Sequence, residues 1–144
     1  MSEIFGINEV VAALEAISLA AQVSAKTIVK RSEAVVETEA KKQFTGAHGR
    51  HDPTTSRPGE PPDVVTGTLR RSIKSDPVSV NGWLAKGSVY PTTVYARLQE
   101  LGGTTGRGGR TNLPARPYMA PAYALSLPKM AAIAAEEWAK AVRL

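Results

Sequence analysis

The side chains best suited to chemistry are few in this sequence and lie where nothing holds them still. Only two histidines occur, His48 and His51, three positions apart with Asp52 beside the second. A metal ion or a proton-transfer pair would need further ligands brought to them on a rigid frame. Both sit in a stretch of Pro, Gly, Ser and Thr that offers no such frame, and there is no cysteine to complete a ligand set. A solvated loop is expected there, with no metal and no cofactor.

The remaining candidates are weaker still. Glu136-Glu137 lies on an exposed helix face with no isolated carboxylate partner for acid–base work. Ser72 and Ser126 have no histidine near them in sequence and no strand–turn–helix setting for a nucleophile. Gly102 to Gly109 is glycine-rich, yet it lacks the Lys-Ser/Thr pair of a phosphate loop and the setting of a dinucleotide fingerprint. With every common catalytic template missing, the chain is not expected to be an enzyme.

The basic residues form the one remaining pattern. The formal charge is +5 and the sequence pI is near 9.7, a balance that favours polyanions through phosphate neutralisation. Arg50 and Arg57 fall in one polar stretch, Arg107 and Arg110 in another, with Arg70, Arg71, Lys74, Arg97 and Arg116 nearby in sequence. No helix-turn-helix or RNA-recognition signature accompanies them, and stacking aromatics are scarce. Contact with DNA would therefore be electrostatic and blind to sequence.

These residues must be positioned by a chain of 144 residues, one domain's worth, which needs no metal or disulfide to hold its core. Met1 to Gly6 lacks the basic start and apolar run of a signal peptide, and no stretch approaches ~20 uninterrupted apolar residues. Synthesis in a cytoplasm and no membrane contact are expected.

From Ile7 to Phe44 there is neither proline nor glycine. Apolar residues recur at Ile7, Val10, Val11, Leu14, Ile17, Ala21, Ala25, Ile28 and Val35, the spacing of a helical stripe. One long helix or a pair would fit. A short first helix to about Ser18, capped by Asn8, and a second ending near Thr45-Gly46 is the preferred reading, since a lone helix of the full length is unusual in a small domain.

Ala47 to Asp63 carries four prolines, two glycines and no large apolar residue, and is expected to be a flexible loop. Thr66 to Ile73 predicts a helical turn capped by Thr66, with Leu69 and Ile73 on one face. Asn81-Gly82, between Val78–Val80 and Trp83–Tyr90, predicts a central β-hairpin, with Asp76-Pro77 at an edge or bulge. Thr92 or Thr93 would cap a short helix over 94–101, closed by Gly102-Gly103. Residues 104–112 form a second flexible loop, and an amphipathic helix capped by Ser126, with Pro128 in its first turn, ends the chain. The class is α+β: helices at both ends around a small antiparallel sheet, with two long loops.

Three blocks are less generic. They are Thr66-Gly67-Thr68-Leu69-Arg70-Arg71-Ser72-Ile73, then Tyr95-Ala96-Arg97-Leu98-Gln99-Glu100-Leu101-Gly102-Gly103, then Ala115-Arg116-Pro117-Tyr118-Met119-Ala120-Pro121-Ala122. In that order, between an alanine-rich N-terminal helix and a C-terminal one, they resemble the tail-component family of lambda-like long-tailed bacteriophages, also called tail-completion or neck proteins. Each block alone is weak; their order and spacing over nearly the whole chain carry the likeness. Physically they look like joints. Gly67 permits a sharp turn, Tyr95 and Leu98 pack one side of a short helix, Glu100 meets Arg116 or Arg70, and Pro117 and Pro121 lead into the last helix.

The resemblance implies a ring protein of the virion neck, a homo-oligomer such as a hexamer matching tube symmetry. It would sit among other neck proteins, between the connector or stopper and the tail terminator or tube. The motif residues Gly67, Leu69, Arg70, Ser72, Ile73, Tyr95, Glu100, Gly102, Arg116 and Pro117 would be structural. The 47–63 loop, through Arg50, His51, Arg57, Pro58 and Glu60, would dock on a neighbouring subunit. Arg107 and Arg110 would face packaged DNA in the lumen. Two alternatives stay open: a tail terminator ring, and a small sequence-nonspecific nucleic-acid-binding protein.

Overall fold

A computed structural model describes residues 6–50 and 56–143. The chain is α+β, with a long N-terminal helix, small antiparallel sheets built from hairpins, and a C-terminal helix.

The N-terminal region is one helix and not a pair: α1 runs from Ile7 to Lys42. Nothing in it breaks the ladder, because Ser18 and Ser24 are poor stops beside so many good helix formers. Its N-cap is Gly6 in the left-handed region (φ 101°), so Asn8 lies inside the helix and caps nothing. The length that looked excessive for a small domain is accommodated by projection. Every residue from Ile7 to Ile17 is exposed, and the first buried residue is Ser24. This segment also bears on the expectation of no membrane contact. By length and composition α1 is apolar enough to cross one, because alanines carry the stretch between its scattered polar residues.

The second half of α1 packs antiparallel to α4 (Met119–Val142). Ion pairs fix the register. Lys129 meets Glu39 at 2.6 Å, and Arg31 meets Glu137 at 2.6 Å and Glu136 at 3.0 Å. In that alignment α4 ends near the level of Ser24, which leaves the front of α1 uncovered.

Between the helices, α2 (Thr68–Ser72) leads directly into β1 (Ile73–Ser75). An antiparallel ribbon follows. β1 pairs with β4 (Val89–Pro91), and β2 (Ser79–Asn81) pairs with β3 (Leu84–Lys86). Asp76-Pro77-Val78 opposes only Gly87-Ser88 between the two ladders, so three residues face two and the strand bulges at the proline, as expected. The hairpin loop is Gly82-Trp83, one residue later than Asn81-Gly82 would give. Gly82 has φ 57° and Trp83 does not have a positive φ, which suits a turn needing left-handed backbone at its first central position only.

Two α1 side chains hold the ribbon, Glu37 by accepting the Ser75 hydroxyl at 3.2 Å and Glu33 more deeply. Buried Glu33 accepts the Ser88 N–H at 2.8 Å, and a Cβ on Gly87 would collide with Glu33 and Val29.

Residues 104–112 are not a plain loop. β5 (Gly103–Thr105) and β6 (Thr111–Leu113) form a second hairpin around a 3₁₀ turn at Arg107–Gly109. β-branched threonines supply the strands, and Gly106, Gly108 and Gly109 take the positive φ values the tip requires.

The 47–63 segment is likewise tied at its base. Ala47 and Val64 form a parallel bridge, and Val64 donates to the Gly46 carbonyl at 2.8 Å. Arg57-Pro58-Gly59-Glu60 makes a turn with Pro58 second and Gly59 third (φ 85°), the arrangement of a type II turn. The Gly59 N–H then reaches the Ala115 carbonyl at 2.9 Å. Its own residues cannot build a core, but neighbouring backbone supplies the missing partners.

Candidate functional site

The three sequence blocks meet at one place. The core consists of Ala40 and Phe44 from the end of α1, Leu69 and Ile73 from the first block, Ala96 from the second, and Tyr118 and Ala122 from the third. Tyr118 is fully buried, its ring 5.1 Å from that of Phe44 and tilted by 52°. Tilted pairs of this kind add to the apolar burial of both rings. Tyr118 was not among the residues singled out in the sequence. Its place in the third block was the sequence signal for it.

Within the first block, Gly67 (φ 71°) is the N-cap of α2, one residue after the expected Thr66. Thr66 contributes differently: its hydroxyl bonds that of Thr68 at 2.9 Å, and its carbonyl accepts from Arg71 Nη2 at 2.9 Å. Arg70 is exposed, whereas Ser72 is buried and returns its hydroxyl to the Leu69 carbonyl at 2.7 Å.

The second block forms α3 (Ala96–Leu101), which begins later than the threonines predicted and has Tyr95 as an N-cap without a side-chain bond. Thr92 pairs instead with the Ser72 carbonyl, which joins the first block to the second. Glu100 takes a role that the expected pairing with Arg116 or Arg70 did not include. Its carboxylate accepts the N–H groups of Tyr118 (2.8 Å), Met119 (3.0 Å) and Ala120 (2.9 Å), the open donors at the start of α4. A negative charge there also complements the helix dipole.

That cap explains why α4 starts at Met119 and not at Ser126. Ser126 is buried inside the helix with its hydroxyl on the Ala122 carbonyl at 2.7 Å, and Pro128 is interior. Pro121 falls in the first turn, where no amide is needed, but Pro128 removes one rung of the ladder.

The second and third blocks also touch through bare backbone. Gly102 (φ 70°) ends α3, and a Cβ there would stand 2.7 Å from Ala115 N and 2.8 Å from the Leu113 oxygen. Arg116 N–H donates to the Gln99 carbonyl at 2.7 Å beside it. Pro117, half-buried, separates that joint from Tyr118.

The other sequence candidates are dispersed. Arg107 and Arg110 flank the exposed tip of the second hairpin. Arg50, Arg57, Pro58 and Glu60 are exposed, and Arg57 N–H lies 3.4 Å from the Glu60 carboxylate within their turn. His51 lies outside the described residues. His48 Nε2 stands 3.9 Å from Asp63, and among the described residues no group of three or more His, Cys, Asp or Glu could hold a metal ion.

Several shifted ionisations belong to ion pairs of α1 and α4. The Lys140 ammonium, then the Arg31 guanidinium, hold Glu136 down to about 2. Glu137 is lowered by Lys140, and Glu39 by Lys129 and Lys42. Tyr118 moves the opposite way, because burial opposes the phenolate.

Large apolar side chains cover the front of α1 instead. Ile7, Val10, Val11, Leu14, Ile17, Leu19 and Val23 are each between 41% and 65% exposed. Five of these seven belong to the helical stripe read in the sequence. Nothing among the described residues covers them.

Comparison with protein-family models, with curated proteins and with solved structures yields no match.

Proposed function

We propose that this chain is a structural subunit of a ring in the head-to-tail neck of a tailed phage, where it serves tail completion and head–tail joining without catalysing a reaction. The observation that carries the reading is the meeting of the three blocks. The residues on which the likeness to tail-component proteins rests are spent on one core and its joints: Leu69, Ile73, Tyr118, the Glu100 cap and the Gly102 contact. Residues that a catalytic site would keep exposed and convergent are instead committed to holding the body together. The projecting apolar helix supports the same reading, since monomeric proteins rarely leave so large an apolar patch uncovered.

In this account the virion neck is the protein's location, and its partners are further copies of itself and the neighbouring neck proteins. The turn at Arg57–Glu60, with Arg50 near it, faces a neighbouring subunit. The hairpin tip carrying Arg107 and Arg110 faces passing DNA through sequence-blind phosphate contact. Gold-labelled antibody against the chain, applied to intact virions, tests the reading. Label between head and tail supports it; virions without label, or label along the tail shaft, contradict it.

A further inference from the structure

The molecule carries two unpartnered apolar features that match one another. One is the exposed front of α1, whose residues Ile7, Val10, Val11 and Leu14 follow the i, i+3, i+4, i+7 spacing by which a helix fills a groove. The other is an open groove of about 800 Å³ between the second half of α1, the β3–β4 edge of the ribbon and the first turns of α4. Ile28, Val36, Val89, Met119, Tyr123 and Met130 give it a largely apolar wall.

A chain cannot fill its own groove in this way. α1 is unbroken from Ile7 to Lys42, and Ile28 is itself part of the wall, so the front of the helix is carried rigidly away from it. We propose that the front of α1 inserts into this groove on a second copy of the same chain, a head-to-tail contact repeated from subunit to subunit. The contact rests on the ring reading for its closure, since a head-to-tail contact closes only if its rotation allows and otherwise builds a filament.

Charge favours a second copy, and one apolar row supplies the seam: Ile7, Val10, Val11, Leu14 and Ile17 share one face of α1 and are each 41–61% exposed. Residues 7–23 carry Glu9 and Glu15 and no basic residue. The groove presents the exposed Lys86, which forms no ion pair among the described residues, with Lys30 exposed on the adjoining helix. The groove's own acid, Glu33, is already committed to Ser88.

The test uses the full chain and light scattering after size exclusion. Leu14→Glu with Ile17→Glu spoils the helix, and Tyr123→Glu spoils the groove; all three positions are exposed, and circular dichroism checks the helices. Wild type is expected to assemble beyond a dimer, and each variant alone to be monomeric. Mixed, the two variants are expected to form a one-to-one dimer, because each retains the half the other has lost. Three results would overturn the contact: assembly by the Tyr123→Glu protein alone, which means the helices pair with each other; a mixture that stays monomeric; and wild type that stays monomeric but floats with vesicles of equal phosphatidylethanolamine and phosphatidylglycerol. None of these touches the neck assignment, which particle morphology judges separately.

Discussion

Glu100 Oε2 accepts the main-chain N–H of Tyr118 at 2.8 Å, so the end of α3 caps the start of α4 from 18 positions earlier in the sequence. The same carboxylate also holds Met119 and Ala120, and through them it fixes the ring of Tyr118 against Phe44. Glu100→Ala would leave three amides without that partner at the edge of the core. A loss of about 1–3 kcal/mol is expected, read as a lower urea midpoint. Glu100→Gln should fall between the two, because an amide oxygen can still accept but carries no charge.

Gly102 and Gly49 make a matched pair. Gly102→Ala places a Cβ against the backbone of Leu113 and Ala115 at a positive φ, and neither strand nor helix can withdraw. We expect severe destabilisation or loss of soluble protein. Gly49→Ala meets nothing within 4 Å and should stay within about 0.5 kcal/mol of wild type. Equal behaviour of the two would refute the backbone contact.

The Tyr118 hydroxyl is buried without a hydrogen-bond partner. Tyr118→Phe keeps the ring contact and removes an unsatisfied polar group, so it should be neutral or stabilising by about 1 kcal/mol in thermal or urea melts. A marked loss would mean that the hydroxyl has a partner in the assembled protein.

The pairing of α1 with α4 should depend on acid. Glu136 is held at about 2 against an ordinary value of 4.5. A carboxylate lowered in the folded state stabilises fully above its unfolded value and loses that contribution as pH falls through its folded one. Melting temperature should therefore decline between about pH 4.5 and 2, with Glu137 and Glu39 contributing in the same direction. Glu136 is exposed, so salt should flatten its share of the decline. Glu136→Gln should remove part of it.

Arg107→Ala together with Arg110→Ala tests the hairpin tip. Both side chains are exposed on a glycine turn, so stability should not change. DNA retention by particles should fall, and any affinity of free protein for DNA should weaken and lose part of its salt dependence. Unchanged retention and infectivity would remove the tip from contact with DNA.

The parts legible in the sequence were those set by local chemistry. The proline- and glycine-free run showed a helical N-terminal region, though as a pair where there is one helix, Asp76-Pro77 gave the bulge, and Leu69 and Ile73 were marked as sharing one face and both enter the core. The helix starts were misread because their caps are not local. Glu100 serves α4 from another element, which made Ser126 the wrong residue to choose. Residues 104–112 hid a hairpin because glycines in a tip and glycines in a loop read alike until strand pairing is known. The α1 stripe was visible, yet only the register of α4 shows that its front half is uncovered. That half is what turned a helical stripe into a candidate contact surface.

The neck assignment is tested most directly by electron microscopy of lysates from a phage with a stop codon in this gene. The account predicts filled heads beside separate tails of normal length, restored to joined particles when the protein is supplied. Intact infectious particles would contradict it and favour a nucleic-acid-binding role, and overlong tails would contradict tail completion in favour of tail termination.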